Sequence, residues 1–215
     1  MKIIRSKILL ISILVAVTAG MGCTENSGGE IVYDELSLTE LLANSSAYTN
    51  KHVCVEGEIS DGLLGEKIKL DNLSTTLDEY RNAGIYAKLY GTFNDQGGAP
   101  ALRVDHVEPV LTIAIENETY HSGETMSVNV TVFTEKEMPG VAITVSGITN
   151  KLDRNTINEV KYINLSQGEN QIPFTFTTPA CTRCAKLDPG LHNVTASILM
   201  NGETKSARIS MILEK

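Results

Sequence analysis

The sequence predicts a mainly β protein built as two modules in series, a small barrel-like unit with a short N-terminal helix and then a β-sandwich. Three observations predict it. Apolar and polar residues alternate over many short segments, the period-2 signature of half-buried strands. Between residues 37 and 110 two of these segments carry an internal glycine, as strands do where a small barrel bends. From Leu111 onward the segments recur at about ten-residue spacing with turn residues between them, the pattern of a sandwich.

The elements follow in chain order. Ser37-Leu38-Thr39-Glu40 is a capping box leading into Leu41-Leu42-Ala43, which predicts a helix over 38–47. HVCVEGEIS (52–60) places Val53, Val55 and Ile59 on one strand face, and GEKIKLDN (65–72) does the same with Ile68 and Leu70. No convincing strand is legible between Asn72 and Gly84, so the barrel is expected to be partly open. GIYAKLYGTF (84–93) and Ala101–Val110 complete it around the Asp95-Gln96-Gly97-Gly98 turn. The second module reads as about seven strands: LTIAIE from Leu111, Ser122–Thr134, the stretch around Val141–Val145, a poorer one at Val160–Leu165, Asn170–Thr178, and the two segments LHNVTASILM and TKSARISMIL. Turns are expected at Gly123-Glu124, Gly168-Glu169 and Asn201-Gly202.

The chain opens MKIIRSKILLISILVAVTAGMGCTENSGGE. Lys2, Arg5 and Lys7 precede any acid, Ile8–Ala19 is an unbroken apolar or small run, and small residues follow. That order is a secretory leader. The run is short of the about 20 residues that span a bilayer. Gly20-Met21-Gly22-Cys23 resembles the lipobox of prokaryotic lipoproteins, archaeal ones included, with Gly20 where an aliphatic residue is usual. The resemblance implies a signal peptide over 1–22, lipidation of Cys23, a tether over 23–36, and residence at the extracytoplasmic face of the cell membrane.

Residues 37–110 resemble the OB-fold, in the small form carried by many prokaryotic lipoproteins. The resemblance rests on Val53–Ile59, Ala87–Phe93 and Leu102–Glu108. Residues 111–215 resemble an immunoglobulin-like sandwich of the kind appended to prokaryotic surface proteins, without the Trp and paired Cys of antibody domains.

Composition bounds the partners. The formal net charge is −8, and losing residues 1–22 removes three cations and no acid, leaving −11. Such a surface repels phosphate backbones, so nucleic acid is not an expected partner. Trp is absent and aromatics are 5%, which argues against a stacking platform or an aromatic sugar cleft. The expected partners are the membrane, through the lipid, and an extracytoplasmic protein or glycan.

The remaining candidate chemistry lies in PACTRCAKLDPGLHNV (179–194). Asp188-Pro189-Gly190-Leu191-His192-Asn193-Val194 fits the corner that starts a late strand of immunoglobulin-like sandwiches, with His192 in the tyrosine position. His192 is expected to bond nearby backbone. Cys181 and Cys184 admit three readings. A redox centre needs a CxxC at a helix N-terminus, which the pattern lacks. A metal site would use Cys181, Cys184 and His192, with His121 from a neighbouring turn. An oxidising compartment favours a local disulfide between Cys181 and Cys184. The alternative function is accordingly a metal-binding or redox-active surface protein centred on that loop. His52, Cys54 and Glu56 share one strand face but spread over about 13 Å, so Cys54 is expected as a thiol tucked under the preceding helix. N-x-[ST] occurs at Asn44, Asn72, Asn117, Asn129, Asn164 and Asn193, which are glycan acceptors if the source glycosylates its surface proteins. No catalytic constellation and no cofactor motif is legible, so an enzyme is not expected.

Overall fold

A computed structural model describes residues 31–72, 83–95, 99–181 and 186–215. The leader, Cys23, most of the tether, most of the turn at 95–98, and Cys184 lie outside the described residues, so the expectations placed on them do too. Ile31–Lys215 forms one compact unit.

The chain enters on a three-residue strand, β1 (Asp34–Leu36), paired parallel with β2 (His52–Ser60). Between them Ser37 caps α1 (Leu38–Ala43) by accepting the Glu40 N–H at 3.1 Å, and Leu41 is fully buried. The expected helix over 38–47 is two pieces, because the Asn44 backbone leaves the helical region at φ −126° and α2 (Ser45–Tyr48) starts anew. Asn44 Nδ2 instead donates to the Glu40 carbonyl, the local competition that makes Asn a helix breaker.

β2 continues into β3 (Leu63–Leu64) and β4 (Ile68–Asp71) through two tight turns. Asp61 and Gly62 have positive φ of 51° and 75°, and Gly65 and Glu66 have 55° and 60°. Paired positive values of this kind mark a primed hairpin turn. β5 (Ala83–Asn94) and β6 (Ala101–Ile115) complete the ring. Its pairings run β2–β3–β4–β6–β5 and back to β2, all antiparallel except β4 with β6. This is the OB topology. The β3–β4 side holds on two- and four-residue strands, so closure there is thin. The side chains of Val53, Val55, Leu89, Phe93 and Leu102 fill the barrel, with Leu41 of α1 packed against them.

The second module is an immunoglobulin-like sandwich. One sheet is the far half of β6, then β8 (Thr125–Thr134) and β11 (Gly168–Thr177). The other has the order β10 (Asn155–Leu165), β9 (Met138–Thr149), β12 (Gly190–Met200), β13 (Glu203–Glu214), β7 (Thr119–His121). Met126, Val128, Val130 and Val132 meet Ile143, Val145, Val194 and Ala196 in its core.

β10 and β11 are the long edge strands of the two sheets, whose other ends are the three-residue β7 and β1, and unpaired edge backbone invites association. Lys161 of β10 guards that seam. Its ammonium lies 4.4 Å above the Phe174 ring, bonds the Pro173 carbonyl, and stands 3.7 Å from Glu159.

No linker joins the modules. Residues 110 and 111 lie inside β6, a strand of 15 residues that serves the barrel first and the sandwich second. At the usual rise per residue it runs for roughly 50 Å. β13 crosses the same seam. Gly84 of β5 lies so close to Arg208 of β13 that a Cβ would run into the Arg208 backbone.

Candidate functional site

The outer face of the barrel, away from its core, carries the polar phase of β2 and β5. Cross-strand register sets Cys54 opposite Tyr90, Glu56 opposite Lys88 and Glu58 opposite Tyr86. β6 adds His106 opposite Tyr90 and Glu108 opposite Lys88. β1 adds Glu35 opposite Cys54. The β12–β13 hairpin of the sandwich rises beside this face with Asn201, Glu203 and Lys205. Between the two lies an open cleft of about 560 Å³. An adjoining hollow of about 380 Å³ shares Glu56, Lys88, Asn201 and Lys205 with it.

The cleft is lined by Glu35, Glu56, Glu58 and Glu203 against Lys88 and Lys205, and most of these charges are close to an opposite one. Lys205 has only 8% of its side chain exposed, forms an ion pair with Glu56, and sits 5.0 Å over the Tyr86 ring. An ammonium this buried requires an anionic partner. Lys88 Nζ stands 3.7 Å from Glu35 and 4.0 Å from Glu56. Arg208 lies 3.5 Å from Glu58 and 3.6 Å from Glu66.

Every resolved shift in acid strength among the described residues falls on this one face. Burial pushes the Tyr86 phenol up to about 12, with Glu56 and Glu203 adding to it. Burial and the hydrogen bond to Glu108 raise Tyr90. Burial raises Glu58 against the opposing pull of Arg208. Burial raises the Cys54 thiol, although its bond to Tyr90 and the charge of Lys88 work the other way. Burial and Asp105 raise Tyr33. Cys54, Glu58 and Tyr86 line the cleft itself, and perturbed groups in a cleft are a common mark of a binding or catalytic site.

Beside the cleft the structure assembles rings that the sequence scatters. Tyr33 stands edge-on to Tyr90 at 5.3 Å and 81° and to His52 at 5.6 Å. Tyr90 and His106 lie 5.7 Å apart and tilted by only 36°. The Tyr90 hydroxyl donates to Glu108 Oε2 at 3.1 Å. The low aromatic content of the sequence gives no sign of such a cluster, which the fold assembles from two tyrosines and two histidines. One ring comes from the approach to β1 and one each from β2, β5 and β6, so no single segment shows the cluster.

The residues singled out from sequence are spread over the molecule. Cys54 is 2% exposed on the cleft face, not under the helix, whose Leu41 packs on the opposite face with Val53 and Val55. His192 is half-buried and its Nε2–H donates to the Asp188 carbonyl at 3.0 Å, a bond to nearby backbone. The Cys181 N–H donates to Ser122 Oγ at 3.1 Å, and its sulfur lies 4.0 Å from the Glu214 carbonyl oxygen. His121, considered as an extra ligand, has Nδ1 3.4 Å from Glu124 and Nε2 3.2 Å from Glu214. Among the described residues no group of three His, Cys, Asp or Glu is placed to hold a metal ion, and no helix is long and apolar enough to cross a membrane. Asn44, Asn72, Asn117, Asn129, Asn164 and Asn193 are all exposed. The cleft residues Glu35, Glu58, Tyr86, Lys88 and Lys205 went unnoticed in the sequence. Only the in-strand phase of Glu56 and Glu58, polar positions on a strand beside a bulky opposite face, hinted at them.

No family model matches the chain, and no curated protein matches it. Among solved structures it is similar to the sporulation control protein Spo0M of Bacillus subtilis at 21% identity, covering 49% of this chain and 49% of that one, with a TM-score of 0.34. It is similar to the CARDB domain of the PF1109 protein of Pyrococcus furiosus, solved with di-metal ions, at 15% identity, covering 48% of this chain and 92% of that one, with a TM-score of 0.35. It is also similar to the alkylpurine DNA glycosylase AlkC of Pseudomonas fluorescens at 16% identity, covering 49% of this chain and 30% of that one, with a TM-score of 0.35. The chain thus spans about half the length of the first and under a third of the last. Likeness at this level has no bearing on what the chain binds.

Proposed function

We propose that the protein is a membrane-anchored extracytoplasmic lipoprotein acting as a non-catalytic binding or adaptor module. The observation that carries the binding role is the cleft at the seam of the two modules. Strand β6 is continuous through the seam, with a bulge at Val110 where Tyr86 and Ala87 of β5 face Leu111 and Pro109, and it joins the barrel to the sandwich whose β12–β13 hairpin walls the cleft. The anchoring role rests on the basic start, the apolar run and Cys23. Lipid attachment through that cysteine needs two acyl chains to hold stably. The Cys181–Cys184 disulfide belongs to the same reading, since the extracytoplasmic compartment is oxidising.

Membrane fractionation of cells expressing wild-type and Cys23→Ala protein tests the anchor. Wild type is expected in the membrane fraction and extractable only with detergent, and Cys23→Ala in the soluble fraction. Equal membrane retention of the two would sink the anchoring claim.

A further inference from the structure

We propose that a second copy of this chain packs on the outer face of the five-stranded sheet, face to face about a two-fold axis at Thr195. The pairing depends neither on what the cleft binds nor on the lipid anchor.

Exposed apolar side chains carry the first part. Among the described residues eight large ones are exposed, and five of these, Val160, Tyr162, Leu191, Leu199 and Ile212, share this face. Register places them there. Val160 lies opposite Thr144, and Thr144 opposite Ser197. Leu191 and Leu199 are in phase with Ser197 on β12, because side chains alternate along a strand. Ile212 lies opposite Leu191. Tyr162 is 78% exposed and Leu191 73%. Apolar side chains left to water and gathered on one surface mark an interaction site.

Charge says what can cover it. The chain carries a formal net charge of −8, so two copies repel one another over most of their surfaces. On this face β10, β9 and β12 place no charged side chain, since Glu159 and Lys161 of β10 are in the opposite phase from Val160 and Tyr162. β13 adds Arg208, which lies beside Glu58 and Glu66, and Glu214, which lies beside His121. The middle of the face is small and hydroxyl-bearing, with Ser146 opposite Thr195 and Ser197 opposite Ser206. Such side chains let two sheets approach closely and both donate and accept hydrogen bonds. The buried centre of an interface is likewise poor in charge. Size also fits. Strands β10 and β12 have 11 residues and β9 and β13 have 12, which at the usual rise and spacing gives roughly 700 Å² in plan. A stable pair takes about 800 Å² of accessible surface from each partner. Leu191 and Leu199 lie at equal distances along β12 on either side of Thr195. A two-fold axis crossing β12 there sets the Leu191 of each copy on the Leu199 of the other, the self-complementarity that a two-fold interface requires.

Sedimentation equilibrium of the full-length chain in density-matched detergent tests the pairing. Wild type is expected to be a dimer at about 50 µM. Leu199→Glu sets a carboxylate in the interface and should weaken association at least about tenfold. Leu152→Glu alters an equally accessible leucine in the β9–β10 turn and should leave association unchanged. Thr195→Cys reads the axis. Sheets packed face to face lie about 10 Å apart, so a short bis-maleimide should join two copies through residue 195 and give a band at twice the chain's mass. Wild type should give no such band, and nor should Ser127→Cys, on the outer phase of β8 in the other sheet. Thr195→Cys is a small change and keeps the test open if Leu199→Glu fails to fold. A monomer at about 100 µM overturns the proposal. So does a dimer that Leu199→Glu leaves intact or that lacks the residue 195 cross-link, because it would use another surface, such as the β10 edge. Asn193 is in phase with Thr195 and accepts a hydrogen bond from Ser210 Oγ at 2.8 Å. A sugar found on it by intact-mass measurement would sheath the face and overturn the proposal too.

Discussion

Replacing Gly84 by Ala probes the seam between the modules directly. Gly84 sits in β5 opposite Ile113 of β6, and its α-carbon faces the Arg208 backbone of β13. An added methyl would overlap the Arg208 carbonyl oxygen, carbonyl carbon and nitrogen. None of those atoms can rotate away as a side chain would. Both strands are also tied elsewhere, β13 by its ladder to β12. Inserting a methyl into a packed site costs roughly 1–3 kcal/mol, and a backbone wall puts this case at the upper end. Loss of glycine's freedom in the unfolded chain returns about 0.5–1 kcal/mol. The net is about 2 kcal/mol of destabilisation, or ~4–8 °C in melting temperature for a chain of this size. Gly57→Ala is the control. Its methyl would meet Leu64 Cδ1, the end of a flexible side chain, and should cost less than about 1 kcal/mol. Circular-dichroism melts of the two variants and wild type decide it. A Gly84→Ala protein melting within about 2 °C of wild type, or no lower than Gly57→Ala, would refute the close-packed seam.

Glu56→Gln should destabilise the chain more than Lys205→Met, by about 1–2 kcal/mol, because the first strands a buried ammonium while the second leaves a carboxylate that Lys88 and water still serve; denaturant titration of both variants ranks them. Tyr86 should ionise near pH 12, well above an ordinary phenol though before Tyr90, and phenolate absorbance lost from that step in Tyr86→Phe identifies it. Its folded value lies above the unfolded one of about 10, so its stabilising contribution is full below about pH 10 and is lost as pH climbs towards about 12. Cys54 should resist iodoacetamide at about pH 8 in the folded chain and react on unfolding, since burial both shields it and raises its thiol; mass mapping of the labelled peptides reports it. The same maps without reductant should recover Cys181 and Cys184 in one bridged peptide, and a free thiol at either site in freshly isolated protein would count against the disulfide.

The sequence by itself determined the local elements, because their causes are local. Alternation in Met126–Val132 and Val141–Val145 specified strands and their buried faces, and Ser37 with Glu40 specified where a helix starts. His192 followed the corner motif and bonds the Asp188 carbonyl four residues back. Where the cause is a contact distant in sequence, only the tertiary structure decided. The two-residue β3 has no period to read, and it is a strand because primed turns at Asp61-Gly62 and Gly65-Glu66 fold it back on β2 and β4. The seam at residues 110–111 lies inside one strand because β8 pairs with the continuation of β6 that β5 began to pair. The cleft is the strongest case. Glu56 and Lys205 are 149 residues apart, and Tyr33, His52, Tyr90 and His106 come from separate segments. Each reads alone as an ordinary solvent-facing residue. Register across β1, β2, β5 and β6, and the passage of β13 over that face, bring them onto one surface, with ion pairs in the cleft and the rings beside it.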